Sequence, residues 1–356
     1  MSAISARDAG FIFPPEWAPH EACILAYPHL EDEWGDAFEG ARSEWIELCR
    51  AIAAEADEDL ILLVPSDREE AALRDALAEV AARTRFLQIP YGDAWTRDTA
   101  PLIALHESGD RAAVCLRFNN WGGKFELPGD AELAPRLADA LGFRAFSVDL
   151  VAEGGAIEVD GAGNLLTTFD CIKDELRNPG LELTELEGRL HGALGTTRAI
   201  WLRGALINDH TDGHIDTIAR FVGRSTVAVM LGEEGDPNRS LHLSLIQQLR
   251  EARDAKGGAF TLHVLPSPGA VHDETSGELL AASYCNFYIG NRAVIVPLYG
   301  VPADVRVLEC LEAIFPDRKV VGLSSRAIIR GGGSFHCITQ QIPRPLNPQA
   351  FGENDE

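Results

Sequence analysis

Apolar residues recur at helical spacing in five stretches of this chain, and a short apolar run follows each of them. The helical stretches begin near Arg68, Ala131, Leu183, Arg239 and Ala303. The short runs follow at 85–89, 144–148, 199–202, 260–264 and 319–323. Residues three or four apart share one face of a helix, and short apolar runs bounded by polar turns are typical of buried strands. The pattern therefore predicts alternating helices and strands, and so an α/β fold.

The same order of elements returns at an interval of about 50–65 residues, which is typical of chains built from repeated units. Each strand after a helix leads into a polar or glycine-rich turn and two further strands, which gives a ββαβ unit. Near the N-terminus, 22–27 and 60–64 are predicted strands and 36–56 is a predicted helix. Five units fit the chain. We therefore predict one cyclically built domain over residues 1–356, with a loose polar tail over 343–356.

Polar residues whose side chains could take part in catalysis lie at matching places in these units, where a predicted strand begins. They are Asp98, Glu153, His214 and Cys337, next to strands predicted at 101–105, 156–159, 217–222 and around the cysteine itself. If the units surround a common axis, these residues meet there. The fourth unit, near 275–278, supplies no such residue. The repeat therefore predicts a site formed by residues that are far apart in sequence.

The glycine-rich stretch 331–341 contains the candidate nucleophile, Cys337. Its glycines, Gly332 and Gly333 among them, let the backbone turn sharply and approach a flat or bulky group. The β-forming residues that follow predict a strand with Cys337 at its mouth, although a single cysteine is more often a small buried apolar residue. Adjacent side chains of a strand face opposite sides, so His336 is predicted to be structural.

The residue types in this set suit attack on a planar cation. A nucleophilic cysteine reacts as the thiolate and needs a nearby base or cation. His214 fills that role, with Glu153 or Asp216 to orient its ring. Asp98 and Asp216 then hold a guanidinium, whose five N–H donors match paired carboxylates. The alternative for a lone aspartate at the start of a strand is a turn or cap residue.

A second interpretation takes Asp212, His214 and Asp216 as metal ligands. Alternate residues of a strand share one face, and the Asp-x-His-x-Asp spacing resembles that of dinuclear manganese ureohydrolases. That pattern requires a second aspartate-rich motif, which the sequence lacks downstream. It also leaves Glu153 and Cys337 without a role. We therefore expect no metal at these residues.

Composition and charge narrow the class of partner. With 46% hydrophobic and 24% charged residues, the chain has the composition of a globular protein. Its formal net charge of −24 disfavours nucleic acids and anionic membrane surfaces and favours a small cation. The seven cysteines include no CxxC pair, so neither a disulfide framework nor a structural zinc site is predicted. No signal peptide or membrane span is visible, and a cytoplasmic location is expected.

Short motifs spread over nearly the whole chain resemble those of one enzyme family. They are Pro15-Glu16-Trp17-Ala18-Pro19-His20-Glu21, Trp95-Thr96-Arg97-Asp98, Phe118-Asn119-Asn120-Trp121-Gly122-Gly123-Lys124, Glu153-Gly154-Gly155, Arg177-Asn178-Pro179, Gly213-His214-Ile215-Asp216, Phe315-Pro316-Asp317-Arg318 and the glycine-rich stretch 331–341. Together they resemble the agmatine deiminase family. This family is part of the guanidino-group-modifying superfamily, which includes the bacterial peptidylarginine deiminases.

The resemblance implies a five-bladed α/β propeller of pseudosymmetric units and hydrolysis of agmatine to N-carbamoylputrescine and ammonia, without a cofactor. It implies Cys337 as the nucleophile of a covalent thiouronium intermediate and His214 as the acid/base. Asp98 and Asp216 would hold the guanidinium, and Glu153 would partner His214 or the guanidinium. The chain departs from the family pattern at three places, where Ser334 stands for Asn, Tyr27 for Trp and Asp170 for Glu.

The expected substrate is a small cationic guanidino compound. Trp95 and Trp121 are expected to cover its aliphatic chain and to reach a distal ammonium by cation–π attraction, beside Gly332 and Gly333. Another guanidino compound or a peptidyl arginine remains an alternative. An amidinotransferase needs the same nucleophile and intermediate, and a propeller can also be a binding protein without catalysis. Assembly into a homo-oligomer is left open.

Overall fold

The computed structural model describes residues 4–125 and 127–346, whose strands form five separate sheets. Within those residues the strands are β1 (Phe11–Ile12), β2 (His20–Ala26), β3 (Asp59–Leu63), β4 (Thr84–Leu87), β5 (Leu102–His106), β6 (Arg111–Arg117), β7 (Arg144–Val151), β8 (Glu158–Val159), β9 (Asn164–Thr168), β10 (Arg198–Leu202), β11 (Ala219–Gly223), β12 (Thr226–Leu231), β13 (Thr261–Pro266), β14 (Tyr288–Ile289), β15 (Ala293–Leu298), β16 (Lys319–Ser324) and β17 (Gln340–Pro343).

The helices of the same residues alternate with these strands. They are α1 (Glu31–Trp34), α2 (Phe38–Ala54), α3 (Asp67–Ala76), α4 (Thr96–Thr99), α5 (Asn120–Gly123), α6 (Leu133–Ala140), α7 (Phe169–Ile172), α8 (Leu183–Leu194), α9 (Ile215–Ile218), α10 (Arg239–Glu251) and α11 (Ala303–Ile314). Short 3₁₀ turns cover Gly35–Ala37, Ala78–Arg83, Asp130–Glu132, Gly154–Ala156 and Ile328–Gly331. The α/β class predicted from the sequence is therefore correct.

Four of the described sheets contain the predicted strand–strand–helix–strand order. In one of them β11 pairs antiparallel with β12, α10 follows, and β13 returns parallel to β12. A parallel return needs a crossover such as a helix, whereas an antiparallel pair needs only a tight turn. The same order recurs in β8-β9-α8-β10 and β14-β15-α11-β16, and in β5-β6-α6-β7, to whose edge β1 adds.

The fifth sheet joins the two ends of the described chain. β17 pairs antiparallel with β2, which is parallel to β3, and β3 is parallel to β4. Pro343 is the last residue of β17, and Arg344 donates its backbone N–H to the carbonyl of Pro19 at 2.7 Å. The tail expected from residue 343 is therefore fixed at its start, because these residues complete a sheet. Residues 347–356 lie outside the described part.

The longer helices cover the sheets with their apolar faces. In α8, Leu186, Leu190 and Leu194 recur at helical spacing and pack with Leu165 of β9 and Leu150 of β7. Fully burying one such leucine contributes about 1.5–3 kcal/mol. Gly195, at a φ of 75°, ends the helix in the left-handed conformation that favours glycine. None of the helices in the described ranges is long and apolar enough to cross a membrane.

The residues predicted to open strands lie on short turns just before them. α4 carries Asp98, α9 carries Asp216, and Gly154–Ala156 follows Glu153. The prediction of a strand at Cys337 is wrong, since β17 begins only at Gln340. Local bonds explain the difference. The backbone N–H of Ile338 donates to the carbonyl of Ser334 at 3.3 Å, as in a helical turn, so it is not free for a strand ladder.

Candidate active site

Turns from different sheets contact one another and bring the predicted residues together. The backbone N–H of Arg97 donates to the carbonyl of Cys337 at 3.1 Å, and that of Gly155 donates to Asp98 Oδ1 at 2.9 Å. α9 packs against the turn Gly154–Ala156. The five residues expected to do the chemistry are all buried: Asp98, Glu153, His214, Asp216 and Cys337.

Cys337 is 5% exposed and has polar neighbours on two sides. Its Sγ atom lies 3.6 Å from Asp216 Oδ2 and 3.2 Å from Asn286 Nδ2. Burial, and then the charges of Asp216 and Asp98, raise the pKa of the thiol well above its usual range. This environment therefore favours the thiol form of Cys337, and a cation bound next to it would favour the thiolate.

Asn286 is a site residue that the sequence analysis missed. Its Oδ1 accepts hydrogen bonds from the backbone N–H groups of Ser334 and His336 at 3.1 Å and of Cys337 at 3.3 Å. Asn286 precedes β14 and belongs to the fourth unit. From the sequence alone, a contribution of this unit was sought near 275–278 and none was found. The signal in the sequence was a lone amide before the short apolar pair Tyr288–Ile289.

His214 lies between two carboxylates without a short contact to either. Its Nδ1 is 3.7 Å from Asp98 Oδ1, and its Nε2 is 3.6 Å from Glu153 Oε2. Neither ring nitrogen has a hydrogen-bond partner among the described residues, although the side chain is fully buried. Burial alone would lower the pKa of His214, but Asp98, Cys171 and Glu153 raise it well above its usual value.

Glu153 is anchored by Arg177, another residue for which the sequence predicted no role. Arg177 Nε donates to both carboxylate oxygens of Glu153, at 2.9 and 3.1 Å. Burial would raise the pKa of Glu153, but His214 and Arg177 lower it. The Sγ atom of buried Cys171 lies 3.8 Å from Glu153 Oε2. Glu153 is therefore an ionised, fixed neighbour of His214.

Asp98 and Asp216 differ in how their oxygens are used. Asp98 Oδ2 accepts the indole N–H of Trp121 at 2.9 Å, while burial raises the pKa of its carboxyl. Asp216 Oδ2 accepts from His336 Nδ1 at 2.7 Å, whereas its Oδ1 is buried without a hydrogen-bond partner among the described residues. Burial would raise the pKa of Asp216, but His336 and His214 lower it.

A cavity of about 140 Å³ opens onto Cys337. Its other lining residues are Glu33, Trp34, Asp93, Trp95, Asp98, Trp121, Phe125, Leu127, His210, Thr211, Arg330, Gly331, Gly332 and Gly333. The predicted substrate-binding residues Trp95, Trp121, Gly332 and Gly333 are all on this wall. His214, Glu153 and Asp216 lie deeper, in contact with one another or with Asp98 and Cys337.

The aromatic wall is held by hydrogen bonds. Trp34 and Trp95 stack with ring centroids 5.6 Å apart, and both indole N–H groups donate to Asp93, at 2.9 and 3.0 Å. Burial raises the pKa of Asp93 to about 6. Gly333 is required here, since a Cβ at this position would lie 2.7 Å from Trp95 and 2.9 Å from Cys337 Sγ.

A model of the Porphyromonas-type peptidyl-arginine deiminase family matches residues 12–343. The chain belongs to this family. A Pectobacterium atrosepticum member provisionally named agmatine deiminase is 35% identical over 357 residues, covering 94% of the chain and 95% of that relative. The shared region thus includes every site residue described above.

Solved structures of agmatine deiminases share the fold of this family member. That of the Enterococcus faecalis enzyme, described as catalysing its reaction, has a TM-score of 0.90 and 29% identity, covering 97% of this chain and 99% of that one. A cysteine-to-serine variant of the C. jejuni enzyme with substrate bound has a TM-score of 0.85 and 28% identity, covering 95% and 97%. The α/β fold is therefore that of guanidino-modifying enzymes.

The three departures from the family pattern lie in the surroundings of the site. Ser334 Oγ pairs with Ser325 Oγ at 2.6 Å. The ring of Tyr27 packs edge-on against that of Trp45 with centroids 5.2 Å apart, and Asp170 Oδ2 accepts the backbone N–H of Gly204 at 2.8 Å. Each of the three side chains thus has a local contact within the supporting structure.

The arrangement does not support Asp212, His214 and Asp216 as a set of metal ligands. His214 and Asp216 lie at the start of a helical turn, so the strand alternation assumed for them is absent. The carboxylate of Asp212 already pairs with Lys124 at 2.5 Å and with Arg177 at 2.7 Å. The metal interpretation is therefore wrong in its geometry.

Two other groups in the described ranges bring three potential ligand atoms together, Glu153 with Cys171 and His214, and Glu16 with Glu158 and His336. In both groups arginine side chains already contact the carboxylates. Arg177 pairs with Glu153, and Arg220 pairs with Glu16 and Glu158. A metal ion would have to displace these contacts.

Proposed function

We propose that this protein hydrolyses agmatine to N-carbamoylputrescine and ammonia through a covalent thiouronium intermediate on Cys337. One observation carries the proposal: Cys337 Sγ lies 3.6 Å from Asp216, in a cavity that Asp98 also lines. Two buried carboxylates beside a thiol suit a planar cation whose central carbon the sulfur attacks. The agmatine deiminases of similar structure support this choice of reaction.

In the first half-reaction the substrate activates its own nucleophile. Asp98 and the free Oδ1 of Asp216 bind guanidinium N–H groups, and the positive charge lowers the pKa of the neighbouring thiol, whose proton leaves to water. The thiolate attacks the guanidinium carbon. His214, held charged by Asp98 and Glu153, donates its proton to the departing amine, so ammonia leaves and the thiouronium forms.

In the second half-reaction His214 acts in the opposite sense. Now neutral, its ring accepts a proton from the water that attacks the thiouronium carbon. The carbon–sulfur bond breaks and the hydroxyl proton of the adduct passes to the leaving thiolate. The ureido product thus forms, Cys337 recovers its thiol, and His214 keeps the proton taken from water and so recovers its charge. Glu153, fixed by Arg177, keeps the ring oriented throughout. These steps use only side chains, the substrate and water, so none of them requires a cofactor.

The far end of the substrate is assigned to the mouth of the cavity. Trp95 and Trp121 line it and cover an aliphatic chain, with a cation–π contribution of about 0.5–2 kcal/mol to an ammonium group. Gly332 and Gly333 let the backbone approach that chain. Glu33 lines the same cavity, and its carboxylate is the natural partner of a distal ammonium.

The charges of the cavity favour agmatine over free arginine. Arg330, the cation among its lining residues, pairs with Asp36 and with Asp273 and is therefore already neutralised. The carboxylate of arginine would thus meet the acidic Glu33 at the mouth of the cavity without a free cationic partner. We expect agmatine to be preferred at least about tenfold in kcat/KM, or roughly 1.4 kcal/mol.

We propose further that the five sheets are the blades of one propeller. Support comes from the repeated ββαβ order and from the closure of the last sheet by β17 and β2. One catalytic domain over residues 1–356 follows from this arrangement. The cytoplasmic location and assembly into a homo-oligomer stay predictions.

Ammonia release from a panel of guanidino compounds tests the function. The panel contains agmatine, arginine and a blocked arginine peptide, each with its kcat/KM, because the family description names peptidyl arginine. Adding an amine acceptor distinguishes the amidinotransferase, which would transfer the amidino group instead of releasing a ureido product. If an arginine compound equals agmatine, the deiminase chemistry stands and the substrate is wrong. Absence of ammonia from every compound overturns the proposal.

A further inference from the structure

The N-terminal motif around Glu16 has no role in the chemistry proposed above, yet its carboxylate is buried next to the site. Glu16 Oε2 lies 2.6 Å from His336 Nε2, and Asp216 Oδ2 lies 2.7 Å from Nδ1 of the same ring. All three side chains are buried. They form one continuous series of contacts, which we call the Glu16–His336–Asp216 chain.

Both contacts of His336 need a proton. An ionised carboxylate only accepts hydrogen bonds, and a neutral imidazole carries a single N–H. With an ionised carboxylate at each nitrogen, the ring must carry both protons and therefore a positive charge. Short contacts of this kind are typical of charge-assisted hydrogen bonds.

Further partners keep Glu16 ionised. Its Oε2 accepts from Arg220 Nη2 at 2.6 Å, and its Oε1 accepts the backbone N–H of Ile289 at 2.7 Å. Burial alone would raise the pKa of Glu16, but Arg220 and His336 lower it well below its usual range. A charged His336 is therefore held by a carboxylate that does not take up its proton.

We propose that His336 and Glu16 are positioning residues for guanidinium binding, because the charged ring keeps Asp216 ionised and turns its free oxygen toward the substrate. The inference rests on the proposed role of Asp216 as a guanidinium holder. Asp216 Oδ2 is occupied by His336 and lies against Cys337, whereas Oδ1 has no partner among the described residues. The chain thus fixes Asp216 through one carboxylate oxygen and leaves the other without a partner among the described residues.

Loss of the positive charge on His336 should change the pKa of Asp216 in one direction only. The other titratable or charged groups around the chain are Arg97, Asp98, Glu158, His214, Arg220, Cys285, Tyr288 and Cys337. Burial and the nearby Asp98 oppose the charge of Asp216, while His336 supports it. Without a charged ring the pKa of Asp216 rises, so Asp216 takes up a proton at a higher pH and binds a guanidinium less well in mild acid.

Nuclear magnetic resonance of the ¹⁵N-histidine-labelled wild-type enzyme tests the ring directly. We expect His336 to show two ring N–H protons at neutral pH, identified by their loss in His336→Gln. A ring with a single N–H overturns the inference. This measurement needs neither turnover nor a bound ligand, so it decides even where the variants below do not fold.

Ligand binding tests the effect on Asp216. The background is Cys337→Ser, which removes the titrating thiol, and agmatine binding is measured by calorimetry from pH 5 to pH 8. Adding Glu16→Gln should move the acid loss of binding up by about one pH unit, so Kd in the affected range rises about tenfold. Once the pH lies well above the new midpoint, the two proteins should bind agmatine alike.

A matched control comes from His20 and Glu58, a buried histidine–carboxylate pair with a 3.1 Å contact outside the cavity. Glu58→Gln in the same background should lower thermal stability and leave the pH dependence of binding unchanged. If Glu16→Gln and Glu58→Gln showed the same pH dependence of agmatine binding, the Glu16–His336–Asp216 chain would have only a structural role. Wild-type enzyme that neither binds nor hydrolyses agmatine would overturn the proposed function instead, and the ring result would still stand on its own.

Discussion

Two buried histidines of this protein each lie between two carboxylates, and they differ in the lengths of those contacts. The nitrogens of His214 are 3.7 and 3.6 Å from Asp98 and Glu153, whereas those of His336 are 2.7 and 2.6 Å from Asp216 and Glu16. Short charge-assisted hydrogen bonds fix protons in place. A ring without them can give a proton to a leaving amine and take one from water. The same pair of residue types thus suits proton transfer at one site and positioning at the other.

The source of the difference lies in the partners of the carboxylates. Glu153 is turned by Arg177, which binds both of its oxygens, and Asp98 is held by Trp121 and Gly155. These contacts keep the carboxylates near His214 but not against it. The anchoring of the neighbouring carboxylates, and not their charge alone, therefore distinguishes the surroundings of His214 from those of His336.

Removing the thiol of Cys337 should have the largest effect. Cys337→Ala is expected to lower kcat by at least about a thousandfold while the fold persists, because only a sulfur atom is lost. Ammonia release and mass spectrometry of the protein measure the result. The matched control is Cys285→Ala, which removes another buried thiol and should retain turnover. Appreciable activity of Cys337→Ala would exclude a cysteine nucleophile.

Replacing the ring of His214 should abolish the proton transfer and also lower stability. His214→Gln is expected to lower kcat by about 10²–10⁴. Its Tm should fall as well, because Asp98 and Glu153 raise the pKa of His214 and so stabilise its charged form, which glutamine cannot replace. His242→Gln is the control, because buried His242 accepts the backbone N–H of Gly232 at 3.1 Å and lies outside the cavity. A normal kcat in His214→Gln would transfer the acid/base role to another group.

Neutralising Asp98 removes one proposed holder of the guanidinium and one carboxylate neighbour of His214. Asp98→Asn conserves shape but cannot balance the cation, and we expect a loss of about 2–5 kcal/mol in kcat/KM. Trp121→Phe serves as the comparison, because it removes only the indole donor to Asp98. Single-turnover analysis that finds the normal amidino adduct on Cys337 in Asp98→Asn would remove Asp98 from substrate binding.

A shift in the pH dependence of kcat or of agmatine binding is the smallest expected effect, and it distinguishes His214 from His336 most clearly. The pKa of His214 lies well above its usual value, so its charged form persists at neutral pH and is lost as the pH rises through that raised pKa. The basic limb of kcat should follow this loss. Glu153→Gln removes one supporting charge and should move the basic limb to lower pH, whereas Glu16→Gln should act on the acid side of binding. An unmoved basic limb would contradict the assignment of His214.

Much of the fold follows from local sequence patterns. The helices expected from Leu183, Arg239 and Ala303 begin at those residues, because an apolar stripe at helical spacing is a local property that packing preserves. The strand expected at Cys337 does not form. The turn between Ser334 and Ile338 outweighs the β-forming residues there. So do the backbone hydrogen bonds that this stretch donates to Asn286, which lies about fifty residues away in sequence.

The ββαβ repeat can be read from the sequence, as can the groups that the repeat brings together: a cysteine, a histidine and two carboxylates, with Asp216 two residues after the histidine. Which histidine lies loosely and which is bound at both nitrogens depends on contacts between distant segments. The tertiary structure also decides that Asn286 supports Cys337 and that Glu16 reaches His336. The reason is physical: periodicity records which residues face inward, whereas contact lengths are set by neighbours from distant segments, and their anchoring leaves no periodic trace in the sequence.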